Sequence, residues 1–560
     1  MMTESPHSGS YKQYLAAAAL LLIHIALAVD ILVQKSATSD EPPHIVAGYS
    51  YLTERDFRYN AEHPPLVKEI AAFPLLFLDV SLEKEAEWEQ AYEWPAGRKF
   101  LFANSEDPDT MLFWARIPMV LLSALLGLVV LLFARRWYGW KAGIFALFLY
   151  ALSPLILGNA WIVQTDVAAA LALAASLYAF WLVLQHPGWK RIAVLGAVLG
   201  LSLASKFTAA FIIGILGLLL AVYLLWFRER IIWRGKPILL AAGKGIAVLL
   251  IAWLVLAASY GFTFSTFFNT PLKAKLAAEV IPGRHPHLEQ GLSALLTPIP
   301  LPEQYVQGLY QVVRQSKSGY PAYLFGEVRK GGWWHCFPVA FLMKTPIAFL
   351  ILLALALWYT PRLKKSWFHE LFILLPAALV FLSFMLGQLN IGVRHILPVY
   401  PLLFIFTSKL ANHKRWMVVL AVALGIWYVA ATLIIHPHEI AYFNELVGPA
   451  DGPEILIDSN IDWGQDLKGL VAYLRKNNIT EQVWLMYWGP DQPEYRSGQF
   501  VKYRRILDGN GVCEPVSGYI AVSVNFLQGM TKEEQHCFDW LRGEEPIERI
   551  GYSIYLYKTA

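Results

Sequence analysis

The chain has 560 residues, of which 56% are hydrophobic and only 16% are charged, and its formal net charge is +4. Its mean hydropathy of +0.44 is too high for a soluble globular protein of this length. Repeated apolar runs near twenty residues long instead predict a polytopic helical membrane protein. The sequence has no Gly-rich Walker loop and no GxGxxG motif, so a nucleotide-driven pump and a nucleotide-sugar enzyme are not indicated.

Apolar segments predict eleven membrane spans. The first, Tyr14–Gln34, is preceded by no cleavable signal pattern, so we expect it to remain as an anchor. The apolar stretch Ile192–Phe227 would be about 54 Å long as one helix, against a hydrocarbon core of about 30 Å. Its Ser205-Lys206 interruption therefore predicts a turn between two short spans. The other spans are expected near Met111–Ala134, Ala142–Gly158, Val167–Gln185, Ile238–Tyr260, Phe337–Trp358, Phe368–Gly387, Ile396–Leu410 and Trp416–Ile435.

Lysine and arginine are distributed unevenly between the two sets of loops. The basic set contains Lys12, Arg135, Arg136, Lys141, Lys190, Arg191, Arg228, Arg230, Arg234, Lys236, Arg362, Lys364, Lys365, Lys409, Lys414 and Arg415. The short loops of the opposite set contain Lys206 and Arg394. The positive-inside rule therefore predicts a cytoplasmic N-terminus, with the long segments 35–110 and 261–336 and everything after His436 outside.

The C-terminal segment, residues 437–560, has a pattern different from that of the preceding 436 residues. It alternates short strand-like and helix-like stretches, which predicts a small α/β domain outside the membrane. Cys513 and Cys537 both belong to it, and a disulfide between them is left open. The expected strands are Ile455–Ile457, Val483–Tyr487, Tyr519–Val524 and Ser553–Tyr557, and the expected helices are Gln465–Lys476 and Lys532–Leu541.

Acidic residues stand at the expected outer ends of several spans. Asp40 and Glu41 directly follow the first span, where they form either an acidic helix cap or a general base that accepts a hydroxyl proton. Asp166 ends a short outer loop, where it is either a helix N-cap or a second acid that orients an acceptor or binds a divalent cation.

Three cations lie where a lipid headgroup would be found. Lys206 either snorkels toward the membrane surface or binds a phosphate. Arg394 is favoured for function, because a guanidinium grips phosphate oxygens in a bidentate manner. Lys344 lies in the outer half of a predicted span, where a charge is costly and indicates a cavity or a partner.

Histidines are numerous on the expected outer side. The pair Glu62-His63 contacts a phosphate, ligates a metal or caps the amphipathic segment that begins at Pro64. A divalent metal site is left open, because no histidine spacing is specific for one. These outer histidines are His44, His63, His285, His287, His335, His395, His436 and His438.

Three acids follow one another in the C-terminal segment. Asp458, Asp462 and Asp466 lie at a predicted strand end and helix start. Acids at a helix N-terminus are ordinary, because they offset the helix dipole. Contact with a sugar or a cation is the less favoured interpretation.

In their order along the chain, several motifs resemble those of GT-C glycosyltransferases. The resemblance is to the branch of bacterial protein-O-mannosyltransferase-like and aminoarabinose-transferase-like enzymes, and it covers nearly the whole length. The motifs are DE at Asp40-Glu41, EHPPL at Glu62–Leu66, QTD at Gln164–Asp166, YLFGEVRKGGWWHCFPVAFLMKTP at Tyr323–Pro346, NIGVRHILPVYP at Asn390–Pro401, AYFNELVGP at Ala441–Pro449 and DSNIDWGQDL at Asp458–Leu467.

The resemblance implies a GT-C fold in the bacterial inner membrane and transfer of a sugar, a hexose or a pentose, from a polyprenyl-phosphate donor. The acceptor would be an extracytoplasmic lipid, glycan or protein, the anomeric carbon would be inverted, and no nucleic acid would be involved. By motif position, Asp40 would be the general base, and Glu41 and Asp166 would orient the base or the acceptor. The donor phosphate would be bound by Lys206 and Arg394, with His63, His395 and Lys344 as further candidates.

One departure from the family leaves the acceptor open. Eukaryotic protein O-mannosyltransferases carry a large β-trefoil insert in an outer loop, and segment 261–336 is too short for one. Two rival functions also remain: a transporter or flippase of lipid carriers, and a non-catalytic scaffold for envelope proteins. A flippase has less reason to place two adjacent acids at the membrane surface.

Overall fold

The computed structural model describes residues 9–84, 86–226, 238–262, 270–280, 286–296, 299–360, 367–497, 503–504, 515–532 and 534–559. The basic residues at 228–236 and 362–365, His285 and Cys513 lie outside these ranges. Cys537 is disulfide-bonded, whereas Cys336 is free and buried.

The described chain is mainly helical. Its helices up to residue 318 are Tyr11–Gln34, Glu41–Glu54, Leu66–Ala72, Ala86–Gln90, Glu93–Phe102, Pro108–Tyr138, Trp140–Ala151, Pro154–Asn159, Asp166–Gln185, Trp189–Leu203, Ala210–Trp226, Ile238–Ser259, Thr270–Val280, Pro286–Leu296 and Glu303–Ser318. The later helices are Cys336–Lys344, Ile347–Tyr359, Trp367–Met385, Val399–Thr407, Arg415–Ile435, Gly448–Asp451, Leu467–Lys476, Pro493–Ser497, Val524–Gln528 and Asp539–Arg542.

Six helices in the described part are long and apolar enough to cross a membrane, and a seventh crossing results if one bent pair is counted as a span. The protein is thus of the helical multi-pass type. The six are Tyr11–Gln34, Pro108–Tyr138, Asp166–Gln185, Phe207–Trp226, Trp367–Met385 and Arg415–Ile435. The count of eleven stays a prediction, because several of the expected spans are short or broken helices.

The expected turn at Lys206 is confirmed. The helix Trp189–Leu203 ends just before it, and the single-turn 3-10 helix Phe207–Ala209 leads into Ala210–Trp226. The expected span at Phe337–Trp358 is broken in the structure, because the chain bends by 110° between the helices Cys336–Lys344 and Ile347–Tyr359. The cause is Pro346, which disfavours a helical conformation at Thr345 and lacks a backbone N–H.

Two further expected spans are shorter than predicted. The stretch Ala142–Gly158 is divided between Trp140–Ala151 and Pro154–Asn159, with Pro154 again starting a new helix. The stretch Ile396–Leu410 contains only Val399–Thr407 as α-helix, flanked by 3-10 turns.

The C-terminal segment contains a five-stranded mixed sheet of β3 Val483–Met486, β4 Tyr503–Arg504, β5 Gly518–Ser523, β6 Glu548–Ile550 and β7 Ile554–Thr559. The strand order is β4-β3-β5-β7-β6. β3 pairs in parallel with β4 and β5, and β7 pairs antiparallel with β5 and β6. The helix Leu467–Lys476 covers the sheet with Leu467, Leu470 and Leu474, which are buried.

Two elements predicted for this segment are wrong. Ile455–Ile457 is not a strand, and it leads into the 3-10 turn Asp458–Asn460. The stretch Lys532–Leu541 consists mainly of turns before the short helix Asp539–Arg542. A separate hairpin, β1 Pro321–Leu324 and β2 Glu327–Lys330, lies in the outer segment 261–336.

Candidate active site

Four charged residues predicted from the sequence meet at one place. Asp40 directly precedes the helix Glu41–Glu54, and Asp166 is the first residue of the helix Asp166–Gln185. Lys206 lies at the turn between two helices, and Arg394 lies in the 3-10 turn Val393–Ile396. All four therefore lie at element ends, where side chains from distant parts of the chain can converge.

Arg394 is the centre of this charged cluster. Its Nη1 atom lies 2.9 Å from Asp40 Oδ2 and 3.5 Å from Asp166 Oδ2. Lys206 Nζ donates to the other carboxylate oxygen of Asp166. The cluster thus pairs two carboxylates with two cations, which offsets the cost of burying them.

The two carboxylates of the cluster differ in exposure. The Asp40 side chain is 22% exposed, whereas that of Asp166 is 3% exposed. Asp166 is therefore the buried counter-ion of Lys206 and Arg394. Asp40 is the acid that a ligand can reach, which is the requirement for accepting a proton from it.

Glu41 faces away from this cluster. Its oxygens accept hydrogen bonds from Arg116 Nε at 2.8 Å and Arg116 Nη2 at 2.6 Å. They also accept from the backbone N–H of Thr38 at 2.8 Å and of Val163 at 3.2 Å. Glu41 is 0% exposed, so it touches no acceptor, and any orienting effect on Asp40 passes through the backbone.

Arg116 is a functional neighbour that the sequence interpretation missed. Its guanidinium also donates to the carbonyl oxygens of Leu32, Lys35 and Ser36 at 2.7 to 2.9 Å, so it fixes the end of the first helix. A signal was present, because an arginine inside the predicted span Met111–Ala134 is costly and demands a partner.

The histidine candidates His63 and His395 lie near the cluster, and their surroundings disfavour the charged imidazolium. Burial, followed by the nearby His44 and Lys206, holds the pKa of His63 well below its usual range. Burial and the adjacent Arg394 charge lower the pKa of His395 to about 3. Both imidazoles can therefore serve a phosphate as hydrogen-bond donors rather than as cations.

Two other candidates are engaged elsewhere. Lys344 Nζ donates to the carbonyl oxygen of Ile440 at 2.8 Å and to that of Asn460, and it lies 4.3 Å from the Phe443 ring centre. The predicted contact of Lys344 with a donor phosphate is therefore not supported. Glu62 accepts a hydrogen bond from Gln315, and burial raises the pKa of its carboxyl.

The C-terminal segment contributes directly to the cluster. Ser459 Oγ accepts a hydrogen bond from Arg394 Nε at 3.2 Å. The Trp463 ring lies under the Arg394 guanidinium, 4.0 Å from its central carbon, which is a cation–π contact. The sequence interpretation weighed only the acids of this motif and missed both residues, although Trp463 lies between two of those acids.

The described residues contain no cluster of metal-binding side chains. Within them, no group of three or more histidine, cysteine, aspartate or glutamate side chains is placed to hold an ion.

Comparison with known proteins adds a family match. Residues 109–256 match the family model described as dolichyl-phosphate-mannose-protein mannosyltransferase. The match covers about a quarter of the chain, and within that segment it agrees with the resemblance to carrier-dependent glycosyltransferases. The family segment contains Asp166 and Lys206, whereas Asp40 and Arg394 lie outside it. No curated protein matches the chain.

Several solved structures are distantly similar. ArnT from Cupriavidus metallidurans in the apo state is 14% identical, covering 97% of both chains, with a TM-score of 0.31. ArnT from Cupriavidus metallidurans bound to undecaprenyl phosphate is 14% identical over 98% of both chains, with a TM-score of 0.32. The Archaeoglobus fulgidus oligosaccharyltransferase in the apo form is 13% identical over 94% of this chain and 71% of that chain, with a TM-score of 0.49. Likenesses this low carry no argument about chemistry.

Proposed function

We propose that this protein is a membrane glycosyltransferase that moves a sugar from a polyprenyl-phosphate donor to an acceptor hydroxyl. The observation that carries the proposal is the position of Arg394 between Asp40 and Asp166, with Lys206 on the far side of Asp166. This arrangement offers one reachable carboxylate beside two cations. Sugar transfer from a lipid phosphate requires both a base and cations.

Asp40 is the base in this proposal. Its carboxylate takes the proton of the acceptor hydroxyl while that oxygen attacks the anomeric carbon of the sugar. The bond from the anomeric carbon to the phosphate oxygen breaks, and its electron pair leaves with the lipid phosphate. A single displacement of this kind inverts the anomeric carbon, and no general acid is needed because phosphate is a good leaving group.

Arg394 and Lys206 bind the phosphate in this proposal. Without a ligand, Arg394 neutralises Asp40 at 2.9 Å. A donor phosphate competes for the guanidinium, so its arrival frees Asp40 to accept a proton. Negative charge grows on the phosphate oxygens as the bond breaks, and fixed cations stabilise that charge most strongly in the transition state.

The proposal includes a location and a topology. The site faces the non-cytoplasmic side of a bacterial inner membrane, with the N-terminus inside and the C-terminal segment outside. Segments 35–110 and 261–336 and the loop before Asp166 bound the cavity, which receives the donor from the lipid and the acceptor from water. The short and broken helices supply the crossings needed to reach eleven.

The experiment compares Asp40→Asn with Asp79→Asn, which alters an exposed acid in the same outer segment. Purified protein in nanodiscs is given a panel of polyprenyl-phosphate-linked hexoses and pentoses with lipid and glycan acceptors. We expect Asp40→Asn to lower the transfer rate by about 10²- to 10⁴-fold, the usual contribution of a general base. Binding of polyprenyl phosphate should persist, and Asp79→Asn should behave as wild type.

Two results would contradict the proposal in different ways. Wild-type transfer by Asp40→Asn would remove Asp40 as the base. Movement of the lipid carrier across the bilayer without sugar transfer by the wild type would identify a transporter instead.

A further inference from the structure

A narrow cleft lies beside the charged cluster, between the hairpin strand β1, Asn390 and the turn at Asp458. Its polar lining comes from Asn390, Asp458 and Asn460, and its apolar wall includes Met530. The cleft admits groups about the size of a hydroxyl. It can therefore receive one edge of a ligand rather than a whole ring.

Asn390 presents an unused hydrogen-bond donor. The residue is 5% exposed, and its Oδ1 accepts the backbone N–H of Trp333 at 2.7 Å. That bond orients the amide, and its Nδ2 has no partner within the described part of the chain. A buried donor without a partner is unfavourable, so a ligand atom that accepts its hydrogen bond would strengthen binding of that ligand.

The loop opposite Asn390 is shaped to approach it. Gly332 has a φ of 63°, in the left-handed region, and a side chain there would overlap the Asn390 amide. Glycine adopts this φ without strain and has no side chain that would overlap the amide. The amide is thereby held in one orientation.

Asp458 presents an acceptor on the other side of the cleft. Its backbone has a φ of 61°, and its N–H donates to Asn525 Oδ1 at 2.7 Å. The Ser459 N–H donates to its carboxylate. A left-handed conformation costs energy at any residue other than glycine, and it persists here because both neighbours fix it.

The cleft is joined to the phosphate-binding cations by short contacts. Ser459, which follows Asp458, accepts from Arg394 Nε at 3.2 Å. Asn460 Oδ1 accepts the backbone N–H of Val393 at 2.8 Å. A sugar attached to a phosphate on Arg394 would thus lie next to Asp458.

We propose that the cleft between Asn390 and Asp458 binds hydroxyl groups of the sugar that the donor lipid carries. A carboxylate accepts hydrogen bonds from hydroxyl groups, and an amide N–H donates one to a hydroxyl oxygen. The substrate class is a sugar with unmodified neighbouring hydroxyls. This inference rests on the proposed function, because it needs the donor phosphate at Arg394.

The test measures how much the sugar adds to lipid binding. Dissociation constants are measured for sugar-free polyprenyl phosphate and for the mannosyl, glucosyl and galactosyl polyprenyl phosphates. Two variants keep the local fold: Asp458→Asn retains an acceptor for the Ser459 N–H, and Asn390→Asp retains an acceptor for the Trp333 N–H. The matched controls are Asp451→Asn and Asn477→Asp, which change exposed residues of the C-terminal segment.

We expect the wild type to bind at least one sugar-linked lipid about tenfold or more tightly than the sugar-free lipid. Both cleft variants should reduce that ratio toward one without changing affinity for the sugar-free lipid, and both controls should leave it unchanged. The sugar subsite is overturned if the cleft variants keep the wild-type ratio of affinities for sugar-linked and sugar-free lipid. It is also overturned if the wild type binds the two lipids equally well. Failure of the wild type to bind sugar-free polyprenyl phosphate instead overturns the proposed function.

Discussion

Adjacent residues in this chain have opposite environments. Asp40 is 22% exposed and touches Arg394, whereas Glu41 is 0% exposed and is saturated by Arg116 and two backbone amides. The first acid is available to a ligand, and the second anchors the loop that carries it. The two adjacent acids therefore differ in their structural role, and the proposed base is the more exposed one.

This difference predicts that substitution of Glu41 lowers stability, whereas substitution of Asp40 lowers transfer activity. Glu41→Gln leaves the buried Arg116 without its carboxylate, and removing one partner of a buried ion pair costs about 3–5 kcal/mol. Asp40→Asn should leave stability close to wild type, because Arg394 keeps Asp166. Thermal unfolding in detergent measures the first loss, and the transfer assay measures the second.

A double variant serves as the control for this prediction. Adding Arg116→Met to Glu41→Gln removes the unpaired guanidinium charge. Arg116→Met should therefore lower the free energy of unfolding less in the Glu41→Gln protein than in the wild type. A Glu41→Gln protein with a wild-type melting temperature and no transfer activity would instead place Glu41 in the chemistry.

The charged residues of the site were predictable for a physical reason. Asp40, Asp166, Lys206 and Arg394 are costly at a membrane surface, so each indicated a partner, and the structure pairs them with one another. Lys344 was assigned to phosphate by the same argument, but backbone carbonyls can satisfy an ammonium as well. The sequence pattern does not distinguish these two kinds of partner.

At the scale of elements, the bent helix pair explains the position of Lys344. The break at Thr345-Pro346 leaves backbone groups without helical partners, and Asn444 Nδ2 donates to the Thr345 carbonyl oxygen at 3.1 Å. The Asn444 N–H donates to the Met343 carbonyl oxygen at 2.8 Å. Lys344 Nζ donates to the carbonyl oxygens of Ile440 and Asn460. These hydrogen bonds connect the helix break to the chain that follows residue 435.

Lys344→Met should therefore act on stability rather than on phosphate binding. The variant leaves two carbonyl oxygens without their donor, at a cost of about 1–3 kcal/mol for each buried group left unsatisfied. Affinity for polyprenyl phosphate should be unchanged. Arg394→Met provides the contrast, because loss of a charge-assisted contact of about 1.5–3 kcal/mol weakens that affinity about 10- to 150-fold.

Titration of lipid-phosphate binding and thermal unfolding together check this pair of variants. A Lys344→Met protein with normal stability and phosphate affinity weakened tenfold or more would restore Lys344 to the phosphate site.

Element types were easier to predict than element ends. Long apolar runs gave the helices Tyr11–Gln34 and Pro108–Tyr138, because hydropathy depends only on composition. Two expected spans are interrupted at Pro154 and Pro346. Hydropathy averaged over a window of residues does not detect such a bend. Ile455–Ile457 was expected as a strand because its residues favour one, but it has no partner strand in the described sheet.

At the scale of the whole molecule, the C-terminal segment is built into the helical part. Lys35, at the end of the first helix, forms an ion pair with Asp466 at 2.6 Å, and both side chains are 4% exposed. Asp466 also accepts from Ser553 Oγ at 2.7 Å, in the turn before β7. Together with the contact of Trp463 with Arg394, these contacts join the segment to the charged cluster.

Asp466→Asn should consequently destabilise the whole protein in one transition. The substitution leaves Lys35 buried without its carboxylate, at a cost of about 3–5 kcal/mol. Transfer should fall as well, because Ser459 and Trp463 belong to the same loop and position Arg394. Asp539→Asn, on an exposed acid of the same segment, is the matched control and should leave both measurements unchanged.

The pH dependence of unfolding also tests the contribution of Asp466 to stability. Burial raises the pKa of Asp466, but the ion pair with Lys35 and the contact with His438 together outweigh burial and lower the pKa to about 2, from an ordinary value of 3.8. A carboxyl with a lowered pKa stabilises the fold above its unfolded pKa, and that contribution is lost as the pH falls through the folded value. Wild type should therefore lose about 2 kcal/mol between roughly pH 4 and pH 2 from this group, and Asp466→Asn should lack that loss. Unfolding of the sheet in a separate transition that leaves the helices and Arg394 unaffected would show instead that the segment is an independent domain.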